Sequence, residues 1–97
     1  MIQYPDRPFI NGVFVDPTGT GRLAQINPAT EETLCEVRAA GLDELNSAVE
    51  GARRAYLEGW RDLAPGKRAE ILFRVARVIR EQVEDLAQLE SRNMGKP

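Results

Sequence analysis

Before Gly41 apolar residues come in short runs that alternate with polar ones, and after it they recur every three to four positions, so the chain divides into a strand region and a helical region. Phe9 and Ile10 stand opposite Val13, Phe14 and Val15 across Asn11-Gly12, the dipeptide that most readily takes the positive φ angles of a two-residue turn. A short hairpin is predicted there. The stretch DPTGTGR, Asp16 to Arg22, reads as a loop. Its glycines invite a phosphate-cradle reading, but a cradle needs a helix opening directly after the glycines, and Leu23 to Ile26 reads as a strand. That strand pairs with Thr33 to Arg38 across the turn Asn27 to Glu32, which makes a second hairpin with Cys35 and Val37 on one face.

Past Gly41, Leu45, Ala48, Val49, Ala52 and Tyr56 share one helical face, and Asp43 and Glu44 suit the positive N-terminal end of a helix running to about Leu57. Gly59 to Ala64 interrupts the pattern. Pro65 sits where a first helical position tolerates a missing N–H, and Ile71, Val75, Ile79 and Val83 carry a second helix to about Met94, ended by Gly95. Uninterrupted, that helix would be roughly 45 Å long. A compact chain of this size has a radius of gyration of about 12–13 Å, so the helix is expected to overhang unless further chain packs along it. The expected fold class is thus α+β: two β-hairpins, then two helices, the second long.

Composition narrows the chemistry. The 97 residues are 42% hydrophobic and 29% charged with a net charge of −2, ordinary values for a soluble globular sequence. Arginine and lysine are scattered, which argues against a nucleic-acid surface. Arg77 and Arg80 each precede a glutamate, Glu81 and Glu84, by four residues, which suits a self-neutralised, solvated helix face. No run approaches the roughly 18 apolar residues of a membrane span, and MIQYPDRPFINGVF does not read as a targeting signal, so the expected setting is cytoplasmic. One cysteine excludes an intramolecular disulfide, and with no histidine Cys35 has no imidazole base to activate it. Cys35 is therefore read as a packing residue, Trp60 as a packing residue, and Lys96 as a solvated charge.

Four landmarks, FINGVFVD (Phe9 to Asp16), INPAT (Ile26 to Thr30), WRDLAPGKRAEIL (Trp60 to Leu72) and LESRNMGKP (Leu89 to Pro97), together resemble the N-terminal region of the NAD(P)-dependent aldehyde dehydrogenase superfamily, and its betaine-aldehyde dehydrogenase-like members most. The resemblance implies a parent several times this length, with an α/β Rossmann-like fold, that oxidises an aldehyde to a carboxylic acid with NAD or NADP. Residues 1–97 would then be an incomplete N-terminal part of its cofactor-binding domain, with no separate second domain. The implied partners are the remainder of the chain and other copies of a homo-oligomer. In this family the nucleophilic Cys, the general-base Glu, the oxyanion-holding Asn and the cofactor loops lie beyond the position matching Pro97. No catalytic or cofactor-binding residue is therefore assigned here, and the chain alone is expected to be inactive.

One element of the family reaches this segment, a monovalent-cation site for K⁺ or Na⁺, which the resemblance places at Gln25, Ile26 and Asn93. Asn93 stands where the family usually has Asp, so the oxygen is kept and the charge is lost; the alternative role of Asn93 is to cap the helix end beside Gly95. Glu31 stands where the family commonly has Gly and is expected to resist a left-handed turn. Two rival readings remain: a stand-alone helical module that dimerises through the Ile71, Val75, Ile79 and Val83 stripe, and a truncated pseudo-enzyme.

Overall fold

The computed structural model describes residues 3–97. Strands β1 (Phe9–Ile10) and β2 (Val13–Phe14) pair antiparallel, Phe9 opposite Phe14 and Ile10 opposite Val13. The turn is the expected one: Asn11 and Gly12 both have positive φ, 52° and 83°, matching the right-handed twist of the strands they join. The Phe9 and Phe14 rings lie tilted at 5.0 Å between centroids, and the Val15 N–H continues the pairing to the Pro8 carbonyl at 2.9 Å.

Strands β3 (Arg22–Ile26) and β4 (Thr33–Arg38) form the second antiparallel hairpin, with a register shift between Gln25 and Ile26. Its turn is a single helical loop: the Glu31 N–H donates to the Asn27 carbonyl at 2.8 Å, and the Asn27 side chain accepts from the Ala29 N–H at 2.9 Å. The chain then reverses through Glu31 at φ 62°, against the expectation that a non-glycine residue would avoid that conformation. The bond from the Asn27 N–H to the Glu32 carbonyl at 2.9 Å closes the turn beyond Glu31, and two backbone bonds across one turn outweigh a left-handed cost of about 1–2 kcal/mol.

Helix α1 runs from Leu42 to Glu58, and a short 3₁₀ turn, Trp60–Asp62, follows it. The long second helix is interrupted. It divides into α2 (Pro65–Glu81) and α3 (Val83–Met94), with Gln82 at φ −112°, ψ 17° between them. Neither proline nor glycine causes the break. Arg80 closes the last turn of α2 while Glu84 and Asp85 open the first turn of α3, a charge order that suits a helix C-terminus followed by a new N-terminus. The Gln82 N–H is shared between the Val78 and Ile79 carbonyls, at 3.1 and 3.2 Å, so the chain bends without losing its bonding.

Neither Arg77–Glu81 nor Arg80–Glu84 forms an ion pair among the described residues; the helical pair that closes is Lys67–Glu70 at 3.4 Å. Long solvated side chains gain little from pairing, and the break at Gln82 lies between Arg80 and Glu84.

No hydrophobic side chain among the described residues is fully buried, and Phe73, Leu72, Leu42 and Val49 are 77, 62, 69 and 60% exposed. The radius of gyration is 16.8 Å, above the about 12–13 Å of a compact chain of this length. The elements are ordered locally, but they do not enclose a core.

Candidate functional site

The residues of the expected cation site lie on two elements, β3 and α3. Gln25 is half-buried on β3 opposite Cys35, and Ile26, 43% exposed, lies after the register shift opposite Thr33. Asn93 is exposed in the last turn of α3. Gly95 ends that helix in the left-handed conformation, φ 76°, with its N–H donating to the Ser91 carbonyl at 2.8 Å. A Cβ at Gly95 would stand 3.0 Å from the Pro28 ring, so the turn that follows Ile26 abuts the end of α3. The structure thus brings together the turn after Ile26 and the helix end that carries Asn93, through Pro28 and Gly95.

Among the described residues no three His, Cys, Asp or Glu side chains gather as a metal centre. The donors expected there, the Gln25 and Ile26 carbonyls and the Asn93 amide, are neutral oxygens. Such a donor set suits a hard monovalent cation and not a transition metal. Cys35 is a free, half-buried thiol in mid-strand.

Two polar clusters were not anticipated. Glu44, 7% exposed, receives the Thr18 N–H at 2.7 Å, the Thr18 hydroxyl at 3.0 Å and the Gly41 N–H at 2.7 Å. The Thr18 backbone bond, with those from Gly41 and the Thr18 hydroxyl, holds the Glu44 carboxyl below its usual range although burial opposes this. The spacing Gly41-x-x-Glu44 is a capping signal, but nothing local to it announces Thr18. The cluster also places a carboxylate at the N-terminus of α1, where a bound phosphate would otherwise be favoured. Asp16 is the second centre: Arg38 Nη2 and Arg7 Nη1 both donate to its Oδ1, at 2.7 and 2.9 Å, and these bonds lower its pKa. The cluster ties the end of the first hairpin to the end of β4.

Trp60 is 38% exposed, with the Arg68 guanidinium 5.8 Å from its ring centroid, and the same guanidinium donates to the Leu63 and Arg61 carbonyls at 3.0 and 2.8 Å. Trp60 thus lies at the surface beside the start of α2, and Lys96 pairs with Glu90 at 3.3 Å on the surface.

Comparison with known proteins gives these elements a common frame. A sequence model described as "Aldehyde dehydrogenase family" matches residues 14–97. The chain is 40% identical to an aminoacetaldehyde dehydrogenase of Pseudomonas aeruginosa over 97 residues, 99% of this chain and 20% of that protein. It is 38% identical to a 2-aminomuconic semialdehyde dehydrogenase of Bos taurus over 88 residues, 91% of this chain and 18% of that protein. Among solved structures it matches PnpE in complex with nicotinamide adenine dinucleotide with a TM-score of 0.88 and 33% identity, over 97% of this chain and 19% of that one. It matches a mutant aldehyde dehydrogenase from Bacillus cereus with a TM-score of 0.87 and 37% identity, over 99% of this chain and 20% of that one. The chain therefore spans about a fifth of the length of these relatives. The two hairpins followed by helices superimpose on both solved structures over nearly the whole chain, and the chain belongs to the aldehyde dehydrogenase family.

Proposed function

We propose that residues 1–97 are the N-terminal part of the cofactor-binding domain of an enzyme that oxidises an aldehyde to a carboxylic acid with NAD or NADP, and that this part supplies packing and a monovalent-cation site but no catalytic group. One observation carries the reading: a chain that superimposes at a TM-score of 0.88 on an NAD-bound relative has no buried apolar side chain among its described residues. Its exposed apolar faces match a segment whose core is completed by the other four-fifths of such a fold. The relatives named for amino-substituted aldehydes, aminoacetaldehyde among them, support a betaine-aldehyde-like substrate preference. The test is NAD- and NADP-linked oxidation of an aldehyde panel by the protein expressed from its complete gene, beside the isolated 97 residues. Turnover by the first and none by the second is expected; turnover by neither overturns the reading.

The cation site would draw on the Gln25 and Ile26 carbonyls and the Asn93 amide oxygen, and the contact of Pro28 with Gly95 supports it by placing the two chain segments side by side. A neutral Asn attracts a cation less than an Asp does. Asn93→Asp should then enlarge the rise in melting temperature produced by KCl over an equal concentration of choline chloride, and Asn93→Ala should abolish it. Equal responses in all three proteins would remove the site from the proposal. A homo-oligomer in a cytoplasmic setting is part of the same reading.

A second reading has one observation in its favour. Ile71, Val75, Ile79 and Val83 are 36, 49, 51 and 59% exposed, as a dimerising stripe would be. Analytical ultracentrifugation of the isolated chain separates the two: a monodisperse, cooperatively unfolding dimer favours the module, and partial folding or aggregation favours the enzyme segment.

A further inference from the structure

The turn Asn11-Gly12 lies against helix α1. An ideal Cβ built on Gly51 would fall almost on the Asn11 side chain, with Cγ at 2.8 Å, Nδ2 at 3.0 Å and Oδ1 nearer still. The Asn11 amide therefore fills a notch that exists because Gly51 carries no side chain. The neighbouring positions on the helix face toward the hairpin, Ala48, Ala52 and Ala55, are also small. The residue as a whole is exposed, so water reaches it, and a Cβ on Gly12 would meet nothing within 4 Å.

We propose that Asn11 is a site of spontaneous deamidation whose rate is set by the seating of its side chain in the Gly51 notch. The chemistry is intramolecular. The Gly12 amide nitrogen attacks Asn11 Cγ; that new C–N bond forms as the bond to the side-chain nitrogen breaks, and ammonia leaves with the proton given up by Gly12. Solvent water then opens the succinimide at either carbonyl, giving Asp or isoaspartate. Glycine at position 12 puts no side chain in the path of the closing ring. To react, the Asn11 amide must leave Gly51 and fold over its own following peptide, so the seated conformation protects it.

The hairpin that must move is a low-stability unit, two residues per strand with Phe9 and Phe14 62 and 52% exposed, so local opening precedes any global unfolding. The isoaspartate product lengthens the backbone by one methylene inside a two-residue turn. The pairing of Ile10 with Val13 cannot survive that change with its present register. The isoaspartate product therefore locks the hairpin out of its docked form.

The test is peptide mapping by mass spectrometry during incubation of the intact protein at mildly alkaline pH, beside a synthetic peptide spanning residues 5–16. Asn11 in the protein should convert more slowly than in the peptide by about tenfold or more, equivalent to an opening free energy of about 1.4 kcal/mol. Gly51→Ala, which evicts the side chain, should bring the rate close to that of the peptide, and Gly12→Ala should slow conversion in protein and peptide alike. Asn46, followed by Ser47 within α1, is the internal control: global unfolding accelerates both sites, loss of seating only Asn11. Should Gly51→Ala unfold the protein, Phe14→Ala loosens the hairpin without touching α1 and carries the same expectation. Equal rates in protein and peptide, no conversion at Asn11 when the peptide has fully converted, or acceleration that always includes Asn46 would overturn the proposal.

Discussion

Glu31 and Asn11 are the non-glycine residues that carry positive φ among those described, and they differ in what the conformation serves. Asn tolerates the left-handed region and here gains a docking notch; Glu31 gains nothing from its side chain and is held by the backbone bonds of its turn. Glu31→Gly should therefore stabilise the protein by about 0.5–1 kcal/mol, read from the denaturant midpoint at unchanged slope. Glu44 is the opposite case, a side chain bound to its neighbours by three hydrogen bonds. Its pKa is lowered on folding, so the stability it contributes is fully present above its ordinary value of 4.5 and is lost as pH falls through the lower folded value. Glu44→Gln should lower the melting temperature at neutral pH, and the gap from wild type should close in acid. A gap independent of pH would show that shape, not charge, holds Thr18.

At the scale of elements, the first hairpin and the limits of α1 were legible because their determinants are local: a dipeptide that prefers positive φ, a run of 3.6-residue period, two acids at a helix start. The break at Gln82 was not legible, since a weak local preference expressed through Arg80, Glu84 and Asp85 has no proline or glycine to announce it. The two glutamates four residues after Arg77 and Arg80 had suggested surface ion pairs that do not form. Arg80→Ala should accordingly change stability by no more than about 0.5 kcal/mol. Gly95→Ala should cost about 1 kcal/mol or more, because alanine resists φ 76° and its methyl would press on Pro28. Chemical denaturation of the two variants beside wild type checks both values.

For the molecule as a whole, the decisive quantity is apolar surface left in water. Ile79 is 51% exposed in the 97-residue chain. If the rest of a dehydrogenase fold covers the stripe, Ile79→Ala should destabilise the complete protein by about 2–5 kcal/mol, and the isolated chain by no more than about 0.5 kcal/mol. Equal small effects in both would mean that the stripe stays in solvent. The family was legible from four landmarks taken together in order. The residues proposed for a cation site rest on the resemblance, because backbone carbonyls leave no mark on side-chain identity. What the sequence by itself determined is the set of structures written in interactions a few residues long: turns, helix starts and ends, and the change of period at Gly41. Tertiary structure alone decided that Asn11 meets Gly51, that Glu44 holds Thr18 across 26 residues, and that Pro28 meets Gly95. Those contacts depend on how elements stack, and no local preference encodes the distance between residues so far apart along the chain.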